Sequence, residues 1–256
     1  MRRFPLVARA VLALASAALP VRAQVPAVAE LPSAQALVAR YIEAIGGRAA
    51  VEGLPGRWER GRIEMPAQGL VIAYELWTAR GQQVTRSELQ GLGTLWSGVD
   101  GEVGWIVNPA TGPQLLDGTA LQQARQGADP LAALHPERYV AALQTVEEAD
   151  FGGARCYRVR VTTQWGESYD EFFDKSTGLL AGGIRQQASA QGNVEVTAQI
   201  TEYRTVAGVR MARVTRARVM GMEMVNTVDT TAVQEIPDSV FVPPPQIRAL
   251  RAPPPR

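Results

Sequence analysis

Apolar residues recur at helical spacing near the start of the chain. Leu37, Val38, Tyr41, Ile42 and Ile45 form one stripe, Ser33 stands where a helix N-cap accepts backbone N–H groups, and Gly46-Gly47 ends the run. A helix with such a stripe must lie on another surface. "RAAVEGL" adds one further turn. From Trp58 the period changes to two. "LVIAYELWT" places Leu70, Ile72, Tyr74 and Leu76 on one face, and "EVGWIV", after the turn "SGVDG", places Val103, Trp105 and Val107 together. Short strands with one apolar face predict an antiparallel sheet covered on one side. "GTALQQARQG" and "DPLAALHPERY" then interrupt the alternation and read as short helices, with Thr119 and Asp129 as caps and Pro130 in a first turn. Alternation resumes as a meander near Tyr139–Glu148, Arg155–Thr163, Glu167–Asp174, Leu179–Ser189, Val194–Tyr203, Val209–Val219 and Met222–Val233. Roughly ten strands overload a flat open sheet, so strong curvature or partial closure follows.

The two ends lie outside this pattern. Arg2-Arg3, the apolar run Ala10 to Leu19 and the small-x-small end Val21-Arg22-Ala23 have the order of a secretory signal peptide, with cleavage expected after Ala23 and export to the periplasm. The apolar run is too short to span a bilayer, and no transmembrane anchor is expected after cleavage. The predicted organisation is a signal peptide over 1–23, one domain over 24–242 and a Pro-rich flexible tail over 243–256, where "VPPPQIRALRAPPPR" cannot enter a sheet interior.

Charge and composition narrow the chemistry. Removing the four arginines before residue 24 leaves 22 basic residues against 25 acidic, without a basic stripe, which argues against nucleic acid. "FFDKSTGLLAGG" resembles the end of a phosphate-binding loop at Lys175-Ser176-Thr177. That loop needs glycine where Asp174 and Tyr169 stand, because backbone N–H groups must approach the phosphates. Of the three acids Asp170, Glu171 and Asp174, strand alternation turns Glu171 to the opposite face, and Asp170 and Asp174 share a face but sit roughly 13 Å apart at about 3.3 Å per residue, too far for one ion. "DKSTG" is better read as a hairpin turn with Gly178 at positive φ. Cys156 and His135 are each single in the chain. Neither stands in a recognisable nucleophile setting, so no catalytic residue, metal site or cofactor is predicted.

With the strands laid out, "YIEAIGGRAAVEGL", "GVDGEVGWIVNP" and "YDEFFDKSTGLL" follow one another in an order that resembles the LolA-like superfamily of periplasmic lipoprotein carriers and outer-membrane lipoprotein-sorting proteins, from about Gln35 to Val242. The resemblance implies an α+β fold, a strongly curved antiparallel sheet forming an incomplete β-barrel of about ten or eleven strands, covered by an N-terminal helix and a short helical insert. It also implies a non-enzymatic carrier that holds a lipid or lipoprotein acyl chains between sheet and lid, with envelope proteins as possible partners. The apolar cavity is then expected from Leu37, Tyr41 and Ile45 on the helix and Ile72, Tyr74, Leu76, Trp105, Met222 and Met224 on the strands. Met220, Met222 and Met224 share a parity, a soft face able to adapt to variable chains. The alternative is a cell-envelope interaction module with a filled core and no ligand. Cavity volume separates the two, because a lipid needs several hundred cubic ångströms and a close-packed core leaves almost none.

Overall fold

The computed structural model describes residues 30–189 and 192–251; the expected signal peptide and the final "APPPR" lie outside the described residues. The first elements are the helices α1 (Ala34–Ala44) and α2 (Arg48–Glu52). Ser33 caps α1 by accepting from the Ala36 N–H at 3.2 Å, and the Gly47 N–H closes its end on the Ile42 carbonyl. Six strands follow: β1 (Arg57–Met65), β2 (Leu70–Ala79), β3 (Gln82–Leu89), β4 (Gly93–Val99), β5 (Gly104–Asn108) and β6 (Gly112–Leu116). After helix α3 (Gly118–Ala128) come β7 (Val140–Phe151), β8 (Ala154–Thr163), β9 (Ser168–Asp174), β10 (Leu180–Ser189), β11 (Gly192–Val206), β12 (Val209–Val219) and β13 (Met222–Val233).

All thirteen strands belong to one antiparallel sheet in the order β6-β5-β4-β3-β2-β1-β13-β12-β11-β10-β9-β8-β7. Two meanders are thus fused where β1 pairs with β13, from Arg57 opposite Val233 to Glu64 opposite Val225. The sheet is curved and open, an incomplete barrel within an α+β fold. Its free edges are β6 and β7, and residues 117–139 run from one edge to the other. Ten or eleven strands were expected. β3, β4 and β6 raise the number, because "QQVTRSEL", "GTLWSGV" and "GPQLL" are too polar, too glycine-rich or too short to announce themselves by alternation.

Register assigns the two faces. Glu59, Leu76, Thr85, Ser97 and Ile106 lie in one cross-strand row, and Trp58, Trp77, Val84, Gly98 and Trp105 in the adjacent row, which points the other way. The first row belongs to the concave face. There α1 packs Ala34 and Leu37 against Val159, Val161 and Phe173, while Ile42 and Ile45 meet Val51, Leu134 and Val209. The second row belongs to the convex face.

Two expectations are corrected on that convex face. Trp105 does not face the helix-covered side. Register through Gly98, Val84 and Trp77 turns it outward, where it is 1% exposed in a cluster with Ile236, Phe241 and Ile247. The C-terminal segment is likewise not an extended, flexible tail over its described part. Pro245–Arg251 forms helix α4, and Ile247 is fully buried against the tryptophan cluster. Proline at the first helical position is compatible with a helix, and an apolar patch of three further tryptophans, Trp58, Trp77 and Trp96, supplies the surface that makes one worth forming. The insert also differs in detail. Thr119 lies inside α3 with Asp117 at the N-cap, and "DPLAALHPERY" forms turns and a short 3-10 stretch at Pro136–Arg138. Asp129 pinches that loop: one oxygen accepts from the Leu131 N–H at 2.9 Å, the other from Arg138 Nη1 at 3.0 Å and the Tyr139 hydroxyl at 3.1 Å.

Candidate ligand-binding cavities

The "DKSTG" segment is the β9–β10 turn. Asp174 Oδ1 accepts from the backbone N–H groups of Ser176 at 2.7 Å and Thr177 at 2.8 Å, and Gly178 takes φ +76°. Arg40 of α1 donates to the carbonyls of Lys175 at 2.9 Å and Ser176 at 3.2 Å, so the turn is tied to the helix. Lys175 is engaged too, paired with Glu148 at 2.6 Å and set 4.9 Å from the Tyr157 ring centroid. Asp170 is on the convex face, where Arg158 donates at 2.6 Å and 3.0 Å and Arg160 adds further bonds. Burial acts to raise its pKa, but the two guanidiniums outweigh that and hold it below the usual carboxylate value. Among the described residues, no three or more metal-ligating side chains gather. Cys156 is fully buried between β7 and β9 beside Phe151 and Phe172, and burial pushes its thiol pKa up. Among the described residues, the side-chain hydrogen bond of His135 is to Glu137, at 3.2 Å.

The concave face is not filled. Three neighbouring cavities of about 290, 210 and 320 Å³ lie along it, beneath α1, α2 and the 117–139 insert. Gln126 and Tyr169 border both the first and the second; Tyr41 and Ala133 border both the second and the third. The first is a polar mouth, with Trp165, Glu167 and the exposed Arg185 at its rim. The second is apolar between Val38, Leu143, Val161, Phe173 and Leu180. The third is apolar at Ile45, Leu54, Leu76, Ile200 and Val228, with Arg57, Glu59 and Asn226 along its β1–β13 floor.

The expected ligand-contacting residues divide accordingly. Tyr41 lines the second and third cavities, and Ile45, Tyr74 and Leu76 line the third. Leu37 is buried in the contact between α1 and β8–β9. Ile72, Met222 and Met224 share the concave parity but line none of the three, and Met222 is exposed beside the β12–β13 turn, where Met220 and Gly221 take positive φ. Trp105 belongs to the convex cluster.

One residue of the second cavity was not among those expected there. Glu171 follows Asp170 and therefore faces the concave side, between Val159 of β8 and Gly183 of β10. Its neighbour Gly183 carries no side chain to cover the carboxylate, and among the described residues none donates a hydrogen bond to it. Burial pushes its pKa up to about 7, with the charge of Arg185 acting to lower it. The tyrosines around it respond in kind. Tyr41 is raised to about 12 by burial and then by Glu171, Tyr169 is raised to about 12 by the same two causes, and Tyr203 is raised by burial and by both Tyr41 and Glu171. A signal was available: strand parity places Tyr169, Glu171 and Phe173 on one face, and an acid between two aromatics on a covered face calls for a partner.

The helices above these cavities are held differently. α1 is seated by buried side chains, whereas α3 buries only Ala128. It is held by polar contacts: at the mouth Gln123 Nε2 donates to Glu167 at 2.9 Å and Gln126 Nε2 to the Tyr169 hydroxyl at 3.3 Å, and on its other side Arg125 Nη2 donates to the Glu102 carbonyl of the β4–β5 turn at 2.9 Å. No described helix is long and apolar enough to cross a membrane.

An open antiparallel half-barrel with helices over its concave face defines the class of structure, and solved proteins share that fold. The chain has a LolA-like fold. A LolA superfamily protein from Nitrosomonas europaea matches with a TM-score of 0.58 at 13% identity, over 83% of this chain and 99% of that one. A DUF1329 family protein from Desulfovibrio piger matches with a TM-score of 0.58 at 10% identity, over 82% and 97%. A domain assigned to outer-membrane lipoprotein sorting, from Vibrio parahaemolyticus, matches with a TM-score of 0.56 at 11% identity, over 80% and 95%. No protein-family model and no curated protein matches the sequence. At these identities the likeness concerns the fold alone.

Proposed function

We propose that the protein is a non-enzymatic periplasmic carrier that binds the apolar part of a lipid, or the acyl chains of a lipoprotein, in the concave-face cavities. The observation that carries this reading is the unfilled space: three adjoining cavities, each of a few hundred cubic ångströms, in a position where a domain of this size would ordinarily bury a close-packed core. Apolar walls supply affinity and the polar mouth faces water. α3, held by three polar contacts and little apolar burial, is the element that yields to admit a chain, while α1 stays seated. The leader before residue 24 supports export to the periplasm. The LolA-like fold supports a carrier role in general, and the ligand is inferred from the cavity.

The test is direct. The protein is purified from its native periplasm without detergent and extracted with organic solvent, and the extract is analysed by mass spectrometry. A stoichiometric lipid or acylated peptide, lost when Ala133 at the junction of two cavities is changed to Trp, is expected. Recovery of protein free of any apolar molecule, with no uptake of lipid from vesicles by the wild type, refutes the carrier reading in favour of an interaction module.

A further inference from the structure

An ionisable side chain placed in an apolar cavity without a partner is costly, and native structures rarely leave one so unless something binds there. Glu171 is in that position. Its carboxylate faces the second cavity, Gly183 leaves the level beside it open, and the rings of Tyr41, Tyr169 and Phe173 line the same space. A carboxylate among aromatic faces is the combination that recognises an ammonium group: the charge pairs, and the negative faces of the rings add their attraction. Arg185, the cation nearest in register, does not fill the role. It stands one same-face step farther along β10, roughly 7 Å at the usual strand rise, exposed at the mouth with its guanidinium 5.4 Å from the Tyr169 ring centroid. The Tyr203 hydroxyl is committed elsewhere, donating to the Leu180 carbonyl at 2.7 Å.

Resting on the carrier reading and extending it, we infer that the cavity selects amphiphiles whose head is an ammonium group, seated on Glu171 within the Tyr41, Tyr169 and Phe173 rings. The apolar chain of such a ligand lies along Val38, Leu143 and Leu180 and continues past Tyr41 toward the third cavity. The charged and titratable groups facing Glu171 are Tyr41 from α1, Tyr169 from its own strand, Arg185 from β10 and Tyr203 from β11; burial holds the three tyrosines neutral through the neutral pH range. The pH dependence of ammonium binding near neutrality therefore reports Glu171 itself, which burial raises to about 7.

The experiment measures binding of decylamine, decanol and decanoate, each below its micelle-forming concentration, to the delipidated protein by calorimetry at pH 8 and pH 5.5. Decylamine is charged at both values, so only the protein's ionisation changes. Decylamine is expected to bind at least about tenfold more tightly than decanol at pH 8, as a charge-assisted contact requires, and to lose most of that advantage at pH 5.5. Glu171→Gln, nearly isosteric and checked for folding by circular dichroism, is expected to erase the advantage at pH 8 while keeping decanol binding. Equal binding of amine and alcohol at pH 8, preference for decanoate, or an amine preference that survives in folded Glu171→Gln overturns the inference and leaves the carrier reading standing. Failure of all three probes to bind refutes the carrier reading, and the inference falls with it.

Discussion

At the scale of single residues, Glu171 sets a pH dependence whose sign can be worked out. Its pKa in the folded protein is about 7, raised by burial from an ordinary value of 4.5, so the folded state holds a proton that the unfolded state releases between those values. Stability therefore falls as pH rises from about 4.5 through about 7 and is level beyond, by roughly 3 kcal/mol if the full shift is expressed. Glu171→Gln is expected to flatten this part of the profile and to be more stable than wild type at pH 8, measured by urea denaturation across the range. A variant destabilised at pH 8 contradicts a half-buried carboxylate without a partner in the cavity wall. Gly178 offers a second residue-level outcome. Besides its φ of +76°, a Cβ there would stand 2.9 Å from Arg40 Cγ, and Arg40 cannot retreat without releasing the turn carbonyls it holds. Gly178→Val is expected to cost about 1–3 kcal/mol, the usual range for a β-branched residue forced into the left-handed region. Ser176→Ala loses the bond that the Ser176 hydroxyl donates to Asp174 Oδ1 at 2.6 Å and is expected to cost about 1 kcal/mol or less, both variants being compared with wild type by thermal melts.

Elements differ in how plainly the sequence announces them. α1 and the strands from Val140 onward are legible because each has a clean period and glycine-marked turns: the Gly152-Gly153, Gly166, Gly178, Gly208 and Gly221 turns all take positive φ. α4 is not legible. A seven-residue segment flanked by prolines has no helical signal of its own, and it folds because Trp105, Val84 and Ala79 present an apolar surface on the convex face that only tertiary structure assembles. The same missing information put Trp105 on the wrong face, since the parity of one strand says nothing about its neighbours until register is known. The consequence is measurable. Ile247→Ala is expected to cost about 2–5 kcal/mol, as deletion of a fully buried aliphatic chain does. It should also shift tryptophan emission to the red as water reaches Trp105. If stability and emission stay unchanged, α4 is not the cover of that cluster.

For the whole molecule, curvature was foreseeable from the strand pattern, and the hollow only from the family resemblance. Strand number argues for a sheet that cannot stay flat, but periodicity cannot tell a concave face packed with side chains from one left open. Apolar residues line both, and only Tyr41, Ile45, Tyr74 and Leu76 of the residues expected at the cavity stand on its walls. A filled core and a binding cavity make opposite demands on a bulky substitution. In a close-packed interior, Ala133→Trp forces strain costing typically about 1–3 kcal/mol. Between two cavities of about 210 and 320 Å³ the indole has room, so Ala133→Trp is expected to leave the denaturation midpoint unchanged or raised while uptake of fatty amine or lipid from vesicles is lost. Both readouts are needed, because a destabilised variant that loses binding says nothing about space. Lost binding with undiminished stability places the ligand where the hollow is, and undiminished binding moves it elsewhere on the molecule.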